Sequence, residues 1–259
     1  MTFATSCFSV LPFGMNGIGG IGGVSIGWRP IVALHIPDGF LNLPVIGVTW
    51  VISIALIALA LQRVQAEYQD RTVPLMGVCA AFIFAAQMIN FPIPGGTSGH
   101  LLGGTLAGAL LGPWAGSLVM AAVFIVQGVL FQDGGITVMG ANIFNMGLIG
   151  TFGGYYLFTA IRRSLGRNKL QSMVVASAVG AWVSVMAAAF VCAIQLATSG
   201  TVPLGVALSA MLGWHVLIGI GEALITVATL TFIWRSRPDL FFHPPRRSAV
   251  SVAQPYSVR

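Results

Sequence analysis

Seven apolar runs, parted by short segments that hold nearly all the charge, constrain this chain more than any other feature. They lie at roughly Pro44–Leu61, Pro74–Phe91, His100–Leu111, Pro113–Phe131, Asn142–Ile161, Ser172–Ala197 and Val206–Trp234. A helix that crosses the hydrocarbon of a bilayer needs about 20 apolar residues. Only 7% of the residues are charged and 56% are hydrophobic, whereas soluble domains carry about 25% charge. So little polar surface cannot face water on every side. The expectation is an all-α integral membrane protein, a bundle of about seven transmembrane helices. The 33 glycines suit helices packed backbone to backbone, and Gly104, Gly108 and Gly112 repeat at the spacing of such a contact.

The basic residues orient the bundle. Arg63 and Arg71 lie between runs one and two, and Arg162, Arg163, Arg167 and Lys169 between five and six. Arg235, Arg237, Arg246, Arg247 and Arg259 follow run seven. If all seven runs span, eleven of the 12 basic residues share one side, and only Arg29 lies on the other. Basic loops mark the cytoplasmic side. Omitting the short, glycine-rich third run would split them, so it counts as a span. Residues 34–43 and the loops 92–99, 132–141 and 198–205 then face outward. A net charge of +6 so placed calls for no nucleic acid.

The chain divides into residues 1–33, an extension; 34–237, a transmembrane domain; and 238–259, a flexible cytoplasmic tail. The extension is rich in glycine and has no charge before Arg29. It lacks the basic start of a secretory signal. Cys7, Cys79 and Cys192 are widely spaced and form no zinc pattern. Cys79 and Cys192 read as small buried apolar side chains.

Two of the four histidines fall on the outer side. His35 precedes run one, directly before the turn residues Pro37-Asp38-Gly39. His100 opens run three, after the proline- and glycine-rich stretch Pro92–Gly99. Irregular backbone at membrane depth is tolerated where it lines a cavity. Each histidine alone could be an interfacial residue with a wet tip. Together, on one face, they favour a ligand pair for nickel, cobalt, copper or zinc. An extracytoplasmic N-terminal metal-binding segment follows from this.

Two imidazoles alone make a loose site. A histidine at position two of a mature chain can close fused chelate rings through the terminal amine, its own amide nitrogen and its imidazole. A second histidine completes a square plane of four nitrogens, which suits Ni(II) or Cu(II). The amine must first lose its proton, so acid weakens binding.

His215 and Glu222 lie within run seven, on nearly the same helix face. Intramembrane ionisable groups are functional by default. A structural hydrogen-bonded pair and a support or coupling role both remain open. Gln87, Asn90, Gln127, Asn142 and Asn145 are expected to bond across helices, a few of them orienting the histidines. Ser98, in the loop before His100, joins Asn90, Asn142, His215 and Glu222 as a candidate for support or coupling. Asp133 reads as a solvated turn residue. Asp38 reads as turn chemistry first and attraction for a metal second.

Three stretches resemble one family. They are His35-Ile36-Pro37-Asp38-Gly39-Phe40; Gln87-Met88-Ile89-Asn90-Phe91-Pro92 leading to Gly95-Gly96-Thr97-Ser98-Gly99-His100; and Ile218-Gly219-Ile220-Gly221-Glu222-Ala223-Leu224-Ile225-Thr226. All three are similar to the cobalt/nickel substrate-capture subunits of energy-coupling factor transporters, the CbiM/NikM type. The resemblance runs from about residue 34 to about Asp239. It implies capture of Co2+ or Ni2+ as transported substrate, with no permanent cofactor, in the plasma membrane of a prokaryote. It also implies a transmembrane coupling protein, a pair of ABC-type ATPases and a small accessory membrane protein as partners. The chain has no P-loop of its own. The implied ligands are the amine of Leu34, His35 and His100.

The extension departs from that pattern, because an amide-linked Leu34 offers no amine. A start at position 34, cleavage after Ala33, or a retained extension with another ligand would each account for it. An intramembrane metalloenzyme and a stand-alone channel or carrier are the competing functions. No HExxH, ring of like charge or repeated half is visible for either.

Overall fold

The structure is a computed structural model, and it describes residues 35–67, 72–88, 91–93 and 97–242. The extension, Leu34, Asn90 and most of the tail lie outside the described residues, as does the side chain of Ser98. The apolar runs form helices α1 (Leu43–Glu67), α2 (Thr72–Gln87) and α3 (Gly104–Leu130). A continuous rod follows, made of α4 (Met139–Asn142), a π-helical stretch (Ile143–Ile149) and α5 (Gly150–Leu165). The last two are α6 (Leu170–Thr198) and α7 (Leu204–Ser236). A two-stranded antiparallel hairpin, β1 (Phe91–Ile93) and β2 (Thr97–Gly99), links α2 to α3.

Among the described residues six helices are counted, not the seven expected, because the third and fourth apolar runs share α3 as its two arms. The reason lies at Gly112. Its φ of 77° and ψ of 171° are non-helical, and Pro113 follows without an N–H to continue the hydrogen bonding. The chain folds back there. A Cβ on Gly116 would lie 3.0 Å from the carbonyl carbon of Ala107, although nine residues of straight helix would part them by about 13 Å. Gln87 also joins the two arms, taking Gln127 Nε2 on its own Oε1 at 2.8 Å and donating Nε2 to Leu102 O at 2.6 Å. The third run is therefore a short arm, 104–111, preceded by non-helical backbone. The two arms of α3 cross out and back.

Four helices, α1, α3, α6 and α7, are long and apolar enough to cross a membrane, and α2 is a shorter apolar helix. Asn42 caps α1, its Oδ1 accepting the Val45 N–H at 3.0 Å. The glycine repeat works as contact surface. Gly104 packs on the backbone of Gly150, and Gly108 on Thr151 and Tyr155. Cys79 and Cys192 are buried, as expected. Asn145 and Gln195 exchange two amide hydrogen bonds across the bundle, at 2.7 and 2.8 Å.

The two ends of the bundle differ. Arg63 stacks over Trp114, and Arg162, Arg163 and Arg167 surround a cavity near Ala109, all at the Gly112 end. His35 and His100 lie at the other end. Residues 241 and 242 pack on the bundle. Phe241 is buried, and the Phe242 N–H donates to Ala109 O at 3.1 Å, a carbonyl that the bend leaves without its helical partner.

Candidate metal centre

His35 is placed by lacing residues 35–38 to the loop before α4. The Ile36 N–H donates to Asn142 Oδ1 at 2.9 Å, and Asn142 Nδ2 donates to Ile36 O at 3.2 Å. The Gly135 N–H also reaches Ile36 O at 2.9 Å. The Asp38 carboxylate accepts the N–H groups of Ile136 and Thr137 at 3.2 and 2.9 Å, and the Thr137 hydroxyl at 2.5 Å. Two glycines make the approach possible. Gly134 has a φ of 95°, and a Cβ on Gly135 would collide with the backbone and carboxylate of Asp38.

His100 is placed by backbone held from three helices. Glu222 of α7 accepts the Leu102 N–H at 2.8 Å and the Gly103 N–H at 2.7 Å. These amides precede the short arm of α3, whose N-terminus favours a negative charge. Gln87 of α2, itself held by Gln127 of α3, binds the Leu102 carbonyl. His100 Nδ1 lies 2.7 Å from Leu101 O, which places the ring proton on Nδ1 and leaves Nε2 as an acceptor.

The two histidine rings meet at a centroid distance of 4.4 Å, tilted by 44°. Both are nearly inaccessible, at 5% and 7%. Asp133, 34% exposed, brings Oδ1 to 2.8 Å from His35 Nδ1, a close charge contact without hydrogen-bond alignment. Donor atoms of His35, His100 and Asp133 all lie within 4.8 Å of one another. Both nitrogens of His35 and Nε2 of His100 are buried with no hydrogen-bond partner among the described residues. Buried polar atoms are normally paired, so these nitrogens on two adjacent rings make a candidate ligand site. A cavity of about 500 Å³ opens onto them, lined also by Asp38 and Gly134. Phe124 closes the apolar side, edge-on to His35 at 5.6 Å.

Asp133 corrects the expectation of a solvated turn residue. Burial pushes its carboxyl up, but His35 and the charges of the two histidines outweigh this and hold it below its ordinary value. It thus stays ionised at neutral pH. The available signal was its position. It is one of two carboxylates on the histidine side, and the two glycines after it allow close packing.

His215 and Glu222 do not pair with each other. His215 Nδ1 lies 2.6 Å from Met211 O in its own helix. Glu222 supports the His100 segment. Asn142 supports the His35 segment. Leu34 and Asn90 lie outside the described residues, and Ser98 is described only as a backbone position opposite Pro92.

Comparison with known proteins shows the family. Residues 35–240 match the CbiM model, described as the cobalt uptake substrate-specific transmembrane region. A protein of Archaeoglobus fulgidus with the provisional name fused nickel transport protein NikMN is 42% identical over 209 residues, covering 80% of this chain and 68% of its own length. The cobalt transport protein CbiM of Sorangium cellulosum is 32% identical over 213 residues, covering 80% of this chain and 94% of its own. A crystal structure described as a truncated transition metal transporter superposes with a TM-score of 0.70 at 36% identity, covering 78% of this chain and 99% of that one.

Proposed function

The chain belongs to the CbiM family, and from that membership we propose that it is the ion-capture subunit of an energy-coupling factor importer for Co2+ or Ni2+. At the coarser level it is a cobalt/nickel transport protein of the CbiM/NikM type, a membrane component of metal uptake. The observation that supports the finer reading is the convergence of unpartnered nitrogens of His35 and His100 beside Asp133. Imidazole nitrogen suits both ions, and a buried site excludes the water that competes for them.

In this proposal the complete donor set is the amine of residue 34, the amide nitrogen and Nδ1 of His35, and Nε2 of His100. A chelate through the His35 amide closes on Nδ1, because Nε2 lies too far round the ring. Nδ1 is also the nitrogen that Asp133 approaches. The carboxylate therefore stands beside the bound cation and balances part of its charge. The site faces outside and the arginine-rich end faces the cytoplasm of a prokaryotic cell. Energy comes from partners: a transmembrane coupling protein, a pair of ABC-type ATPases and a small accessory membrane subunit. The mature chain begins at position 34, so that the amine is free.

The test is metal binding by purified protein. A chain beginning Met-His35 should bind Ni2+ or Co2+. An alanine inserted after that methionine should weaken binding by changing the chelate ring. His35→Ala and His100→Ala should each weaken it by at least about 100-fold, beyond the loss usual for outer ligand supports. Near-normal affinity in either variant refutes the ligand set. Intact mass of the natural protein reads its start directly, and competition between the two ions assigns the substrate.

A further inference from the structure

We propose that the cavity at the arginine-rich end of the bundle binds the phosphate-bearing headgroup of an anionic membrane lipid. The cavity measures about 400 Å³, the size of a small-ligand pocket and not of a flat protein contact. It is built from the end of α5, the turn into α6, the end of α7 and the segment that follows. Arg162, Arg163 and Arg167 line it together with Tyr155, Phe158 and Trp234.

The charge there is unbalanced. Among the described residues no acid lines the cavity, and none of the three arginines meets a carboxylate. Asp239, the nearest acid in the chain that follows α7, binds Arg237 through both oxygens at 3.0 and 2.9 Å. Residues 243–259 add arginines and contain no Asp or Glu. In this proposal the balancing anion comes from outside the chain.

Arg162 is preset to receive it. Its guanidinium sits between two aromatic rings, 5.6 Å from the centroid of Phe158 and 5.8 Å from that of Phe241. It also donates to the Arg167 carbonyl, so its plane is fixed. Its Nε is buried with no partner. A planar guanidinium held this way presents a fork of donors to phosphate oxygens.

The lining favours an amphiphile over a free anion. Phe158 and Phe241 are buried and form an apolar floor, Tyr155 and Trp234 are interface residues by type, and Arg163 and Arg167 form an exposed rim. Basic pockets between helices at the cytoplasmic surface recognise anionic headgroups. The site does not depend on the metal assignment, and the proposed orientation decides only which leaflet supplies the lipid.

The test uses the full chain, purified in detergent and stripped of lipid, and titrated with phosphatidylglycerol, phosphatidylcholine, sodium phosphate or polyglutamate. Native mass spectrometry reads adducts, and thermal melting reads stabilisation. One phosphatidylglycerol should bind at least about tenfold more tightly than phosphatidylcholine. Arg162→Gln, Arg163→Gln and Arg167→Gln should each weaken it about fivefold. Arg163 is exposed, so that variant reports binding even if Arg162→Gln misfolds. Arg237→Gln, outside the cavity, should bind as the wild type does. Equal retention of the two lipids, or indifference to the three substitutions, overturns the proposal. So does full stabilisation by phosphate alone with displacement of the lipid, which assigns a free-phosphate site. Stabilisation by polyglutamate but not by phosphatidylglycerol assigns the cavity to an acidic protein segment and overturns it equally.

Discussion

The side chain of Asn142 binds the main chain of Ile36 at both ends, accepting its N–H and donating to its carbonyl. One amide thereby replaces the partner strand that an extended segment lacks, and fixes the residue next to His35. Asn142→Ala should leave the Ile36 N–H without a partner, at about 1–3 kcal/mol, while the Ile36 carbonyl keeps the Gly135 N–H. Ion affinity should fall by about 10–100-fold while the bundle still folds. Asn142→Asp keeps the acceptor and should lose less. Calorimetric titration of both variants with Ni2+ checks this, and unchanged affinity in Asn142→Ala removes the clamp from the account.

Asp133 contributes charge more than shape. Its carboxyl lies below its ordinary value, so it is ionised throughout the neutral range. Asp133→Asn keeps the size of the side chain and removes the charge. Affinity should drop by about tenfold or more, with both histidines still in place and the melting temperature little changed. Titration of this variant beside His100→Ala separates the two roles: the histidine loss should be the larger. The reverse order would make Asp133 the principal ligand.

Glu222 acts on His100 through backbone. Its two oxygens hold two consecutive N–H groups. Glu222→Gln retains one acceptor and turns an NH2 group toward the other N–H. The expected cost is about 1–3 kcal/mol, with a melting temperature lower by a few degrees, weakened but measurable ion binding, and reduced uptake. Thermal melting and radiometal uptake by the same variant check it. A stable variant with normal uptake would leave Glu222 without a role in transport.

Much of the fold was legible because lipid imposes simple rules. Run length and the placement of arginine indicated a helical bundle with unlike ends. His35 and His100 stood out because each borders a turn-rich segment on the uncharged side. Asp133 did not, since its role depends on how two loops lace together around Gly134 and Gly135, a contact that no local pattern encodes. Gly112-Pro113 reads equally as a loop between two helices or as a bend within one. The partner of Glu222 lies 120 residues away and is backbone, so no side-chain motif could announce it.

The broken crossing between His100 and Gly112 bears on how the protein is made. A short helical arm preceded by bare backbone holds too little apolar length to enter the bilayer alone. It goes in with the longer arm as one hairpin. Even then the amides of Leu102 and Gly103 wait for Glu222 of α7, which leaves the ribosome long after them. Unpaired amides in lipid cost several kcal/mol each. The stretch that carries His100 is thus completed only after synthesis of α7. A nascent chain that stops short of it would be inserted, yet unable to hold an ion.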